Sequence, residues 1–170
     1  MKISTKTGDL GETSLLFNRR VKKNTLRVSC YGAIDEFSAF LGLARCVADD
    51  EAKSFILEIQ KTLVRIMTEL ACHQDDYEKL SCLKISLLDE NDLDIIESKI
   101  KEIESKGNCF SKWTQSGENL LQTYLDIART QCRRTERKII TLAEKENVRE
   151  LLIRYLNRLS DLLYLLETTA

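Results

Sequence analysis

The sequence predicts an all-α fold: an antiparallel five-helix bundle preceded by an irregular, basic N-terminal arm. Three observations predict the bundle. Proline is absent and glycine occurs only six times in 170 residues, too few breakers for the many turns of a sandwich or barrel. After residue 30, apolar residues recur at steps of three and four, the period of a helix buried on one face. The connections between these runs are short, which sets consecutive helices side by side and antiparallel. With 43% hydrophobic and 31% charged residues, the chain has a globular composition and the length of one domain, 1–170.

Residues 1–30 lack apolar periodicity and are punctuated by Thr5, Thr7, Gly8, Gly11, Thr13 and Asn18. They read as a loop or short-strand arm, and the bundle occupies 31–170. Its first helix runs from about Tyr31 to Val47. The second starts near Glu51 and passes Leu70, with the stripe Ile56, Ile59, Leu63, Ile66, Leu70. Residues 74–88 form a polar, irregular connection. Asp89 is placed to cap a shorter helix with Leu93, Ile96, Ile100 and Ile103 inward, and Gly107-Asn108 stops it. A long helix covers about Glu118 to Glu146, striped by Leu121, Leu125, Ala128, Cys132, Thr135, Ile139 and Leu142. The last helix begins near Val148 and turns Leu152, Leu156, Leu159, Leu163 and Leu166 inward.

Composition narrows the function classes. The net charge is −1, yet residues 1–30 carry seven Lys/Arg against two Asp/Glu. The overall balance argues against a nucleic-acid binder, while the basic arm admits a local anion site. No run of about 18 apolar residues spans a membrane, and the first residues lack the apolar stretch of a signal peptide. The six cysteines form no C-x-x-C pair and no zinc spacing. They read as reduced, mostly core-filling thiols of a cytoplasmic protein.

Three segments carry candidate chemistry. On the long helix, Asp126, Arg129, Arg133, Glu136 and Arg137 share an arc of about 100°, centred roughly 115° from the apolar stripe. Arg129, Arg133 and Arg137 stack like charges at i,i+4, which repel unless an anion or acidic partner meets them. Arginine's planar fork suits polyphosphate. The segment alone leaves open a solvated, ion-paired face. In the last helix Asn157 and Asp161 share a face, and Asn157 suits either a ligand or a bridge between helices. The arm Thr5-Lys6-Thr7-Gly8-Asp9-Leu10-Gly11-Glu12-Thr13 offers small residues, hydroxyls and a lysine to an anion, although it lacks a Walker A pattern. Arg19, Arg20, Lys22, Lys23 and Arg27 add positive charge downstream. His73, the only histidine, continues the second helix's stripe and reads as a core or bundle-end residue.

Taken together, TKTGDLGET at 5–13, RVSCYGAIDEFSAFLGLA at 27–44, ARTQCRRTERKI at 128–139 and YLNRLSDLLYLL at 155–166 resemble the PduO-type ATP:cob(I)alamin (corrinoid) adenosyltransferases over nearly the whole chain. The resemblance implies a homotrimer with ATP at each subunit interface, the arm of one copy closing on helices of the next, with Mg2+ and often K+. It implies that Thr5, Lys6, Thr7, Gly8 and Asp9 wrap the triphosphate and that Lys22 or Lys23 contacts phosphate. It matches Asp35 and Arg129 to an acid and an arginine that pair across the interface. Arg133, Glu136, Arg137 and Asn157 match the nucleotide contacts. Two departures stand out. Trp113 replaces the phenylalanine that sits against the lower corrin face, with Ser116 in place of a proline. Ser38 replaces an amide.

The implied reaction moves the 5′-deoxyadenosyl group of ATP to cobalt, giving adenosylcobalamin and triphosphate. The cobalt supplies the nucleophile, so the protein aligns cobalt with C5′ and stabilises charge on the leaving triphosphate. Trp113 beneath the ring would keep a lower axial ligand away. Catalytic roles fall to Arg133, Glu136, Asp35, Arg129 and Trp113, while the sequence identifies no metal ligands. The resemblance also implies a cob(II)alamin reductase and an adenosylcobalamin-dependent enzyme as partners. An ATP-dependent adenosylcobalamin carrier or sensor of the same fold, with little turnover, is the alternative. A purely structural helical scaffold leaves the glycine-threonine arm unexplained.

Overall fold

The computed structural model describes residues 6–80, 82–83, 85–107 and 115–169. A two-stranded antiparallel hairpin, β1 (Glu12–Ser14) and β2 (Arg20–Lys22), leads into helices α1 (Leu26–Val47) and α2 (Asp50–Leu70). A 3-10 turn, Gln74–Asp76, and the four-residue α3 (Tyr77–Leu80) precede α4 (Glu90–Ser105), α5 (Leu120–Ala143) and α6 (Glu150–Thr169). Five long helices form the bundle, as expected, and α3 is a sixth, short one.

The periodic stripes become one core. Ile34, Phe37 and Leu41 of α1, Leu63, Ile66 and Leu70 of α2, Ile96 of α4, Cys132 and Ile139 of α5, and Leu156 and Leu159 of α6 are all buried in it. Each such aliphatic side chain stabilises the fold by about 2 kcal/mol. Asp89 caps α4 as predicted: it accepts from Asp92 N–H, and Asp92 reciprocates to the Asp89 N–H. α1 runs antiparallel to α5, with Thr135 Oγ1 donating to Ala33 O at 3.2 Å and Gln131 donating to Glu36 at 2.7 Å. α4 lies parallel to α6, since Arg154 meets Glu90 and Arg158 meets Glu97 in the same direction along both helices. Among the described residues no helix is long and apolar enough to cross a membrane.

Two boundaries differ from expectation. α1 begins at Leu26, five residues before Tyr31, so residues 26–30 belong to the bundle and not to the arm. The cause is Arg27, 2% exposed. It donates to Leu70 O at 3.2 Å, to Cys72 O at 2.7 Å and to Glu146 at 2.8 Å, tying the first turn of α1 to the ends of α2 and α5. Residues 74–80 are helical because His73 caps the 3-10 turn by accepting from Asp75 N–H, and because Leu80 is buried. His73 is therefore a bundle-end cap.

The hairpin is fastened to that same end. Leu16 N–H donates to Ala71 O at 2.9 Å, and Arg19 Nε donates to Asp76 at 2.6 Å. Lys79 Nζ reaches Asp76 from the other side, also at 2.6 Å. These two cations, Arg19 first, hold the Asp76 carboxyl down to about 2. In the unfolded chain it titrates near its ordinary value of about 4. The stabilisation is therefore complete above about pH 4 and is lost as pH falls towards about 2. Asp76→Asn is expected to lower the urea midpoint at pH 7, with the gap to wild type closing between about pH 4 and about pH 2. A gap that stays constant through that window would show that the ion pairs are not its source.

Candidate functional site

α5 and α6 carry one group of candidate residues. The α5 stripe from Leu125 to Leu142 is buried, with Leu121 half-buried at its start. Because that stripe fixes the rotation of the helix, the charged arc turns outward. Arg133, Arg134 and Arg137 are exposed, and Glu136 is half-buried at the border. Neither Arg133 nor Arg137 forms a side-chain hydrogen bond or ion pair with the described residues. The stacked cations thus face solvent uncompensated, the arrangement that an anionic ligand completes. Across the α5–α6 seam, Asn157 Nδ2 donates to Glu136 Oε1 at 3.2 Å.

Arg129 behaves differently from its neighbours one and two turns on. Its Nε donates to the buried Glu167 at 3.0 Å and its Nη2 to Asp126 at 2.5 Å, and it lies 5.7 Å from the Tyr164 ring centre. These two bonds use two of its five N–H donors. Asp35, matched by resemblance as its partner in a neighbouring copy, stands exposed on α1. Nothing in the spacing of Arg129 and Glu167 signals their contact, because it depends on how α6 crosses α5.

The arm carries a second group of candidate residues, and no described hydrogen bond or ion pair joins it to Arg133, Glu136 or Asn157. Lys6, Thr7 and Asp9 are exposed, and Asp9 N–H donates to Lys6 O at 3.4 Å. Gly11 has φ +80 and accepts at its carbonyl from Lys23 N–H at 2.8 Å. A Cβ on Gly8 would stand 3.0 Å from Lys23 Nζ and 3.2 Å from Glu12 O, so glycine is what lets the amine and the backbone approach. Lys23 therefore leans over the arm, whereas Lys22 sits opposite Glu12 in the hairpin ladder. Arg20 clasps the arm as well, donating to Thr7 O at 2.8 Å and to Glu12 at 3.2 Å. Sequence reasoning gave Arg20 no such role.

Two of the downstream cations are not available to a ligand. Arg19 is engaged with Asp75 and Asp76, and Arg27 is buried against Glu146. Their charge is structural, and among the described residues the basic arm reduces to Lys6, Arg20, Lys22 and Lys23. Thr5 and Trp113 lie outside the described residues. Of the cysteines described, Cys30, Cys72 and Cys132 are buried, and Cys46 and Cys82 are exposed. Burial pushes the Cys30 thiol up to about 11 and raises Cys132 well above its ordinary value, so these core thiols stay protonated. Among the described residues, no group of three or more His, Cys, Asp and Glu side chains is placed to hold a metal ion.

A family model described as cobalamin adenosyltransferase matches residues 3–170. The corrinoid adenosyltransferase PduO of Salmonella typhimurium is 39% identical over 167 residues, 98% of this chain and 48% of its own length. The chain thus spans about half of that relative. The corrinoid adenosyltransferase of Bacillus subtilis is 35% identical over 161 residues, covering 95% of this chain and 82% of the relative. A solved structure of a variant PduO-type ATP:corrinoid adenosyltransferase from Lactobacillus reuteri, complexed with cobalamin and ATP, has a TM-score of 0.87 at 28% identity. That similarity covers 98% of this chain and 89% of the other.

Proposed function

Because the chain belongs to the cobalamin adenosyltransferase family, we propose that it transfers the 5′-deoxyadenosyl group of ATP to the cobalt of cob(I)alamin. The observation that carries this reading is the outward, uncompensated pair Arg133 and Arg137 beside the Glu136–Asn157 contact. The cobalt–carbon bond forms as the C5′–oxygen bond breaks, and triphosphate leaves with that electron pair. Arg133, Arg137 and Lys23 stabilise the negative charge that grows there. Glu136 offers its second oxygen to a ribose hydroxyl. Lys23, not Lys22, is the phosphate lysine in this reading, because its amine lies over Gly8. Trp113 joins by sequence alone, as the aromatic beneath the corrin.

In this reading Mg2+ and K+ would enter with the nucleotide. A Mg2+ ion so bound would neutralise phosphate charge. The contacts of the arm run to the end of α2, while Glu136 contacts α6. A site closed by a second copy, in a homotrimer with Asp35 and Arg129 facing each other across the interface, accounts for both sets of contacts. A reductase that supplies cob(I)alamin and an enzyme that consumes adenosylcobalamin belong to the same reading, as does a cytoplasmic location.

The test is an anaerobic visible-absorbance assay with chemically reduced cobalamin and MgATP. Conversion to the adenosylcobalamin spectrum with triphosphate release is expected. ATP binding without conversion would favour the carrier or sensor, and absence of ATP binding would overturn the proposal. A second expectation concerns the arm. MgATP is expected to slow proteolysis between residues 8 and 23 at least severalfold, because closing on phosphate orders the exposed backbone. Equal cleavage with and without MgATP would rule out closure.

A further inference from the structure

Asn157 lies between two groups that leave its amide only one orientation. The Glu136 carboxylate only accepts, and it takes the Asn157 Nδ2 hydrogen at 3.2 Å. The Arg158 guanidinium only donates, and its Nη1 reaches Asn157 Oδ1 at 3.3 Å. A flipped amide would set oxygen against carboxylate and NH2 against guanidinium, losing both bonds. Arg158 is itself held in place. Its Nη1 also meets Asp161 at 3.2 Å and its Nε meets Glu97 at 3.3 Å. A continuous polar chain therefore runs from Glu97 on α4, through Arg158 and Asn157 on α6, to Glu136 on α5. α4 contributes no residue of its own to the nucleotide site proposed above, and this chain connects it to that site.

From this geometry we infer that Arg158 is a positioning residue for the nucleotide, fixing the Asn157 amide in one flip and, through it, the Glu136 carboxylate. The inference rests on the reading of Glu136 and Asn157 as nucleotide contacts. With both side chains set, one amide N–H, one carbonyl lone pair and the second Glu136 oxygen stay in defined places before the ligand arrives. Without Arg158 only the Glu136 bond opposes the flip, so the amide is held less firmly and binding must supply part of the order. The Arg158 side chain is 46% exposed, so its removal opens no cavity in the core.

Calorimetric titration of the intact protein with MgATP tests the inference. Arg158→Met is expected to weaken binding about fivefold, the scale of one charged hydrogen bond acting through a neighbour. Asn157→Ala is expected to weaken it at least as much. In the Asn157→Ala background Arg158→Met is expected to add nothing, because the two act in series. Arg158→Lys keeps a donor and is expected to recover part of the loss. Asn157→Asp keeps the shape but sets a carboxylate against Glu136, and is expected to weaken binding about tenfold. In turnover, the Arg158→Met loss is expected in KM for ATP with kcat nearly unchanged. Multiplying losses in the double variant would overturn the inference, as would unchanged binding by Arg158→Met. Wild-type protein that binds no MgATP would instead overturn the nucleotide reading beneath it.

Discussion

Arg133→Ala is expected to lower kcat/KM for ATP by about two orders of magnitude while the bundle folds as before. A guanidinium meeting phosphate through two charge-assisted hydrogen bonds contributes about 3 kcal/mol, which is about 100-fold in rate. Arg133 has no side-chain partner among the described residues and turns away from the core, so its loss leaves no buried group unsatisfied. Arg133→Lys restores the charge but not the planar fork, and is expected to recover roughly a tenth of wild-type efficiency. Arg134→Ala, on the next position round the helix, is expected to change the rate less than about threefold. The measurement is the anaerobic cobalamin assay at varied ATP, beside a circular-dichroism melt of each variant. A fall of less than threefold for Arg133→Ala would remove it from the phosphate site, and loss of folding would mean that its surroundings are buried.

Arg27→Met is expected to act in the opposite sense, on stability and not on chemistry. The loss is expected to be about 3 kcal/mol, equivalent to roughly 10 °C in melting temperature. Methionine fills much of the space but cannot donate. It strands the Leu70 and Cys72 carbonyls that end α2, and leaves Glu146 without its partner. Glu146→Gln is expected to cost less, about 1 kcal/mol, because that side chain is 26% exposed and its amide oxygen still accepts from Arg27. Equilibrium urea unfolding of both variants decides. A loss below about 1 kcal/mol for Arg27→Met would show that water reaches those carbonyls.

The regular parts of the molecule were legible because one period governs them. Steps of four and three along α5 fix which arc meets the core, and the same rotation turns Arg133 and Arg137 outward. Asp89 was legible as a cap because a capping box is local. The start of α1 was not, since it depends on Arg27 meeting Glu146, 119 residues away. The hairpin tip was also hidden. Phe17 and Asn18 both hold positive φ, a conformation usually announced by glycine. Among the candidates, Lys22 and Lys23 were indistinguishable by spacing, and the end of β2 at Lys22 separates them, with Lys23 in the turn beyond. The carboxylates on Arg129 come from one residue a turn away and one on α6, and only the packing of the two helices unites them.

The anchoring of the hairpin sets a length scale for the proposed assembly. Its tip is bound at Ala71 and Asp76, so β1 cannot travel with the segment before it. Residues 6–11 are the described reach beyond that fixed point, and six residues at full extension span about 20 Å. Any phosphate gripped by Lys6 or Thr7 must lie inside a sphere around Glu12 whose radius is that backbone span plus the reach of the gripping side chain. A second copy that shares the site must bring its Arg133 into the same sphere. The fastened strand is thus a ruler for quaternary structure, limiting how far apart two copies can stand and still share one triphosphate.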